Sequence, residues 1–265
     1  MVILAHVVFF NKEKMGKETS WETSSSWYDK IVGAKGHYYH QQVIIPRLLK
    51  LLGDKPAHLL DLACGQGILS RHVPKTTRYV GVDASASLIK AAKTYSKQEG
   101  HTFLVHDLTQ PVTLPSNTFT HAVCILALQN IESPLPLLRT AHAHLQPSAP
   151  FILVLNHPCF RIPRQSSWGQ DPQKKLQYRR IDRYMSPLKI PIQTQPSKQD
   201  ASEETWSFHH PLSYYTGLLK KSGFAIETIE EWCSDKKSIG KNAAMENRSR
   251  QEFPLFLTIT ARKNY

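Results

Sequence analysis

Apolar and polar positions switch between two periods from residue 41 to about residue 158. Five short apolar runs, HLLDLAC (58–64), RYVGVD (78–83), TFLVHD (102–107), HAVCILAL (121–128) and FILVLNHP (151–158), read as strands covered on both faces. Helical spacing fills the gaps. QQVIIPRLLKLLG leads in, and SASLIKAAKTYSKQEG opens on a serine suited to an N-cap and ends on glycine. SPLPLLRTAHAHLQP has one proline near its first turn and another after its end. Strand–helix alternation at this spacing predicts an α/β fold with a doubly wound, mostly parallel sheet. Residues 159–210 break the pattern: they are rich in Pro, Gln, Ser and basic residues without sustained periodicity, and predict a functional lid or a partly disordered insert. Order returns with HPLSYYTGLLKKSG as a helix and FAIETIEEW as a strand. After a polar loop over 233–251, FPLFLTITARK reads as a last strand, which predicts an antiparallel edge hairpin at the C-terminal side of the sheet.

With 265 residues, 41% of them hydrophobic, the chain can bury a full core. The opening MVILAHVVFF has neither a basic n-region nor a small-residue cleavage site, so no signal peptide is expected. No segment approaches the roughly 20 apolar residues that span a bilayer. The four cysteines are widely separated and form no C-x-x-C pair, which argues against a zinc site or a disulfide framework and suits a reducing cytoplasm. A net charge of +12 favours anionic company. Much of it lies between Arg161 and Lys198, where Arg164, Lys174, Lys175, Arg179, Arg180, Arg183 and Lys189 face only Asp171 and Asp182. A solvated insertion and an anion-binding face both fit that run.

Candidate chemistry concentrates in LLDLACGQG (59–67), where an apolar run carries one acid, Asp61, and stops at Gly65 and Gly67. Glycines there allow a tight turn and let a ligand touch backbone. The amides of a following helix start would attract an anion. Nineteen residues beyond Cys64, Asp83 closes the second strand, where an acid can hold a ribose diol. The pattern points to a nucleoside. A dinucleotide fingerprint needs a third glycine, but Ile68, Leu69 and Ser70 follow Gly67, and there is no G-K-[ST].

Asp61-x-x-x-Gly65-x-Gly67 resembles the first motif of class I S-adenosylmethionine-dependent methyltransferases. VGVDAS with Leu88, Ile89 and Ala92 is similar to their second stretch, and FLVHDLTQPVTLPSNTFTHAVCILALQNI to their third. HHPLSYYTGLLKKSGFAIETIEE is similar to the C-terminal segment of small-molecule members, including those related to the ubiquinone and menaquinone C-methyltransferases. The resemblance covers roughly residues 27–158 and 209–263 and implies a Rossmann-like, seven-stranded sheet with S-adenosyl-L-methionine as cofactor. It implies that Asp61 reaches toward the ammonium of the methionine moiety and that the amides from Ala63 through Gly65 to Gly67 lie against the cofactor. Asp83, followed by Ala84, would hold the ribose, Leu88 would lie under the adenine, Asp107 and Leu108 would meet its edge, and Leu126 would border the sulfonium. Taken singly, Asp61 also fits a buried carboxylate capping local amides, and Asp83 an N-cap. Residues 1–40 would form an N-terminal cover, with Tyr28, Gly36, His37 and Tyr38 as candidates, and 41–265 the methyltransferase domain carrying the basic insertion at about 159–210.

Methyl transfer from a sulfonium needs mainly proximity and alignment, with a base only where the acceptor carries a proton. His157, His209 and His210 are the candidates for that base, among thirteen histidines. ALQNIES after the fourth strand departs from the N-P-P-Y-like tetrad of enzymes that methylate exocyclic base amines. The cysteine pair of RNA cytosine enzymes is absent, and no metal site is supported. The stretch CFRIPRQSSWGQDPQKKLQYRRIDRYMSP, with Phe160, Trp168, Tyr178 and Tyr184 among arginines, is expected to carry specificity. It suits an anionic aromatic small molecule or single-stranded RNA. A small-molecule acceptor leads. An RNA or protein acceptor, and a non-catalytic cofactor-binding protein, are the alternatives. Nothing in the sequence sets the oligomeric state.

Overall fold

The computed structural model describes residues 21–22, 24–53, 56–193 and 204–264. The opening apolar run, half of the N-terminal cover and residues 194–203 of the basic insertion lie outside the described residues.

Helix α1 (Ser25–Val32) is followed by a π-helical turn (His40–Ile44) that runs directly into α2 (Ile45–Leu52). The central parallel strands are β1 (His58–Leu62), β2 (Arg78–Asp83), β3 (His101–Val105), β4 (His121–Ile125) and β5 (Pro150–Asn156), with α3 (Ala86–Tyr95) and α4 (Leu135–His144) in the connections. After α5 (Leu212–Lys221), β10 (Phe224–Trp232) and β11 (Phe256–Lys263) close the sheet antiparallel, in the order β10-β11-β5-β4-β1-β2-β3. The seven strands and the antiparallel edge agree with the sequence reading.

Every residue of β1 is buried, and its alternation feeds two cores. Leu60 and Leu62 join Leu138, Tyr215 and Leu219 from α4 and α5. Leu59 joins Ile44, Leu48 and Ile89 from the opposite layer. Ser85 caps α3 by accepting a hydrogen bond from the Leu88 amide, at 3.1 Å, as its residue type predicts. That helix ends at Tyr95, so Gly100 is not its stop.

Three expectations need correction. Residues 159–210 hold two hairpins, β6 (Ser166–Asp171) with β7 (Leu176–Ile181) and β8 (Leu188–Gln193) with β9 (Glu204–His209). Their strands escaped notice because the first hairpin buries neither face and so carries no apolar alternation. The polar loop contains α6 (Ala243–Glu252), whose single buried residue is Ser249. LLDLACGQG opens onto a single 3-10 turn, Leu69–Arg71, not onto an α-helix.

Gly67 shows what that turn demands. Its φ is +66°, and an added Cβ would sit 2.8 Å from Cε1 of Phe103 and 3.3 Å from Cβ of Ala92. Left-handed backbone costs an L-residue about 1–2 kcal/mol, with crowding on top. Gly67→Ala is therefore expected to destabilise the fold by about 2 kcal/mol, read as a lowered midpoint in urea unfolding with unchanged slope.

Candidate functional site

The sheet order reverses between β1 and β4, and a crevice opens there at the carboxyl ends of the strands. It is a cavity of about 1110 Å³. That exceeds the roughly 300–1,000 Å³ usual for one drug-sized ligand.

Asp61 lies one residue before the end of β1, 2% exposed. One carboxylate oxygen accepts a hydrogen bond from the Tyr79 hydroxyl of β2, while Oδ1 is buried with no partner among the described residues. Burial lifts its pKa to about 7; the Tyr79 bond opposes the rise and the Asp83 charge adds to it. Asp83, at the end of β2, accepts the Gly65 amide on Oδ2 at 2.8 Å and the Ser85 amide on Oδ1 at 2.9 Å. Its pKa is also raised by burial, with those two bonds opposing.

Two non-glycine residues on this wall hold left-handed backbone, Ala63 after β1 (φ 57°) and Leu126 after β4 (φ 53°). Such conformations persist where surrounding structure fixes them and cluster at ligand sites. Ala84, Leu88, Asp107 and Leu108 line the same wall. Asp107 is tied into a turn by accepting from the Thr109 amide (2.9 Å) and hydroxyl (2.8 Å).

The N-terminal segment closes the crevice from above. Tyr28 of α1 lies over the glycine turn, so that a Cβ on Gly65 would come within 3.7 Å of its hydroxyl. Trp21 meets Tyr28 edge-on at 5.8 Å. Glu22 accepts from the Ser85 hydroxyl and from the Ser87 amide and hydroxyl, which stitches this segment to the start of α3.

Across the cavity the lining changes character. Ile131 and Glu132 after β4, Asn156 at the end of β5, and Lys189, Ile192 and Trp206 from the second hairpin form that wall. The Lys189 ammonium lies 5.1 Å from the centre of the Trp206 ring and 3.2 Å from a Glu132 oxygen.

Of the residues singled out from sequence, Tyr28, Asp61, Ala63, Gly65, Asp83, Ala84, Leu88, Asp107, Leu108 and Leu126 meet in this one cavity. Gly36 and Gly67 do not line it; both hold positive φ in tight packing, Gly36 against Ile68. The three candidate histidines stand elsewhere. His157 accepts from the Cys159 amide on Nδ1, leaving Nε2–H to donate to Glu231 at 2.7 Å, so it has no lone pair for a substrate. His209 donates Nε2–H to the Tyr184 carbonyl at 2.8 Å, and His210 stacks on Tyr214 at 3.7 Å. None lines the cavity. The histidine that does is His40, in the π-helical turn, kept neutral by burial that takes its pKa to about 4, with the charges of His37, Arg71 and His72 acting in the same sense. The expected specificity stretch is displaced too: Phe160, Trp168, Tyr178 and Tyr184 are absent from the lining, and the second hairpin takes their place. The signal for it was thin, since Lys189, Ile192 and Trp206 stand in a run without clear periodicity. Among the described residues no group of His, Cys, Asp and Glu could hold a metal ion, and no helix is long and apolar enough to cross a membrane.

Residues 60–153 match the family described as Methyltransferase domain. An S-adenosylmethionine-dependent methyltransferase of known crystal structure from Mesorhizobium loti superposes with a TM-score of 0.65 at 27% identity, over 82% of this chain and 96% of that one. Over residues 60–153 the chain carries a methyltransferase domain of the class I, S-adenosylmethionine-dependent type. Its cofactor is S-adenosyl-L-methionine. A carboxylate oxygen without a partner, a second acid at the end of β2 and a stretch of bare backbone between them suit a ligand bearing an ammonium and a ribose. Among curated relatives, this methyltransferase is 25% identical over 140 residues to the ubiquinone biosynthesis O-methyltransferase of Coxiella burnetii, covering 52% of this chain and 58% of the relative. It is 27% identical over 97 residues to that of Histophilus somni, covering 34% and 41%. The chain thus matches 58% of the length of the first of these relatives and 41% of the second.

Proposed function

We propose that this methyltransferase transfers a methyl group to a small-molecule acceptor seated between the end of β4 and the second hairpin. The observation that carries the reading is the division of one cavity into an acid-and-glycine wall and a facing wall of Ile131, Ile192 and Trp206. The relatives named for ubiquinone biosynthesis support a small molecule. The two insertion hairpins are read as part of a single methyltransferase domain over 41–265, with residues 1–40 as its cover.

Asp61 and Asp83 would hold the cofactor's ammonium and ribose hydroxyls, the turn through Ala63 and Gly65 would supply amides, and Leu88, Asp107 and Leu108 would frame the adenine. Tyr28 would close over it, and Leu126 would stand where the two walls meet. The cofactor brings a methyl group on a sulfonium, already a good leaving group. The chain's own contribution is alignment, worth up to roughly 7–11 kcal/mol of the barrier. Trp206 and Ile192 exclude water from the acceptor side, and Lys189, fixed by Glu132, offers a positive charge to an anionic or phenolic acceptor. Neutral His40 can accept a hydrogen bond but is a weak base, so an acceptor that must lose a proton would do so with its own pKa lowered by Lys189. A reducing, cytoplasmic setting goes with the four free thiols.

The test is methyl transfer from labelled cofactor to a panel of phenols, catechols and quinols beside RNA. Trp206→Ala is expected to raise KM for a small acceptor about tenfold, with cofactor affinity unchanged. Labelling of RNA alone, with the small acceptors untouched, would sink the small-molecule reading and favour the alternative to which the net charge of +12 points.

A further inference from the structure

Outside the main cavity, Tyr39, Phe160, Arg161, Trp168, Arg179 and Phe253 enclose a separate cleft of about 180 Å³. It shares no lining residue with the larger cavity. Its walls are rings: Trp168 stands edge-on to Phe253 at 5.4 Å, and Phe253 to Phe160 at 5.6 Å. Its charges are two guanidinium groups. Arg179 is built in, donating Nε–H to the Phe160 carbonyl at 2.8 Å and an Nη2 hydrogen to the Ser166 hydroxyl at 2.7 Å, with its head 5.1 Å from the centre of the Trp168 ring.

Arg161 is the anomaly. It is half-buried, and its guanidinium meets only a ring face, that of Phe256 at 5.7 Å. Among the described residues its guanidinium has no hydrogen-bond or ion-pair partner, and no carboxylate pairs with Arg179 either. Burial holds its pKa below the ordinary arginine range; Tyr39 opposes this and the Arg179 charge adds to it, so the two cations feel one another. A partly desolvated cation beside a like charge is costly unless something anionic offsets it. Guanidinium forks match carboxylate and phosphate oxygens in pairs, and they also stack on aromatic faces.

We propose that this cleft is a second ligand site, taking an oxyanion, phosphate or carboxylate, carried on a flat apolar group. Arg161 and the remaining donors of Arg179 would grip the anion. Trp168, 41% exposed at the rim, would flank the apolar carrier. One residue, Ile162, separates Arg161 of this cleft from Pro163 on the wall of the main cavity, so its occupancy bears on the turn that follows β5.

The test is calorimetric titration of the full chain with phenyl phosphate, benzoate, inorganic phosphate and phenol. One of the two aryl anions is expected to bind saturably and phenol not; the better of them names the anion. Arg161→Met is expected to lose at least tenfold in anion affinity while S-adenosylhomocysteine binds as before. Without ligand it should melt at or above the wild-type temperature, because an unpaired guanidinium has been removed. Trp168→Ala, at an exposed position, provides a variant that keeps its fold, and should weaken phenyl phosphate more than inorganic phosphate. The proposal is overturned if neither aryl anion binds at millimolar concentration, if phenol binds equally well, or if both variants keep wild-type anion affinity. A lowered melting temperature in Arg161→Met with unchanged anion affinity would assign that residue a structural role instead.

Discussion

Asp83→Ala is expected to weaken S-adenosylmethionine and S-adenosylhomocysteine binding by between tenfold and a hundredfold, about 1.4 to 2.7 kcal/mol. The carboxylate does two jobs at once. It is the acid at the end of β2 that a ribose diol would meet, and it already fixes the glycine turn by accepting the Gly65 amide at 2.8 Å. Removing it leaves the Gly65 and Ser85 amides without their acceptor, and an unmade hydrogen bond at a partly buried donor costs about 1–3 kcal/mol. Helix α3 should survive, because its cap is Ser85 and not Asp83. Calorimetry beside a thermal melt separates loss of the site from loss of the fold. A variant that melts normally and binds within twofold of wild type would contradict the assignment of Asp83 to the cofactor.

Acid pH is expected to weaken the same binding by about tenfold for each unit below 7, through Asp61. Burial raises its pKa from an ordinary 3.8 to about 7. An acid raised in the folded state binds its proton more tightly there than in the unfolded chain. The contribution of Asp61 to stability is therefore unpenalised below about pH 4, falls between pH 4 and 7, and is a net cost above 7. Pairing with a cationic ammonium reverses that preference, since only the ionised carboxylate rewards it. Affinity should climb to about pH 7 and then level off, with a proton released on binding near neutrality. Titrations in buffers of different ionisation enthalpy read that proton directly. Asp61→Asn should bind more weakly and lose this pH dependence; a variant as pH-sensitive as wild type would place the titration elsewhere.

The parallel half of the fold was legible because its strands are buried on both faces, and continuous apolar runs such as FILVLNHP leave few alternatives. The cofactor wall was legible for a related reason. Its acids and glycines interrupt those runs, and a carboxylate such as Asp61 inside a strand has no cheap structural excuse. The acceptor side offered no such contrast. Ile192 and Trp206 meet only because two strands of a hairpin pair, with Pro191 opposite Trp206, and the buried residues of β9, Thr205, Ser207, Phe208 and His209, mix polar with apolar types and so leave no apolar period in the sequence. The candidate histidines are engaged in local bonding away from the cavity. His157 and His209 each spend a ring nitrogen on a neighbouring backbone or side-chain group, whereas His40 sits in a π-turn that the apolar pattern reads as ordinary helix. Glu22 was equally hidden, because its partners Ser85 and Ser87 lie more than sixty positions away in the chain.

The two walls of the main cavity are written in separate stretches of the gene product. Most of the acid-and-glycine wall comes from residues 61–109, whereas Asn156 ends the last parallel strand and Pro163, Lys189, Ile192, Trp206 and Ser207 lie beyond it. The second hairpin leaves the sheet after β5 and rejoins at α5 without contributing a strand to it. It can therefore be exchanged as a cassette: a hairpin of different length or lining, grafted between Pro187 and Pro211, would change which acceptor is accommodated while the register of β1, β2 and β4 stayed as it is.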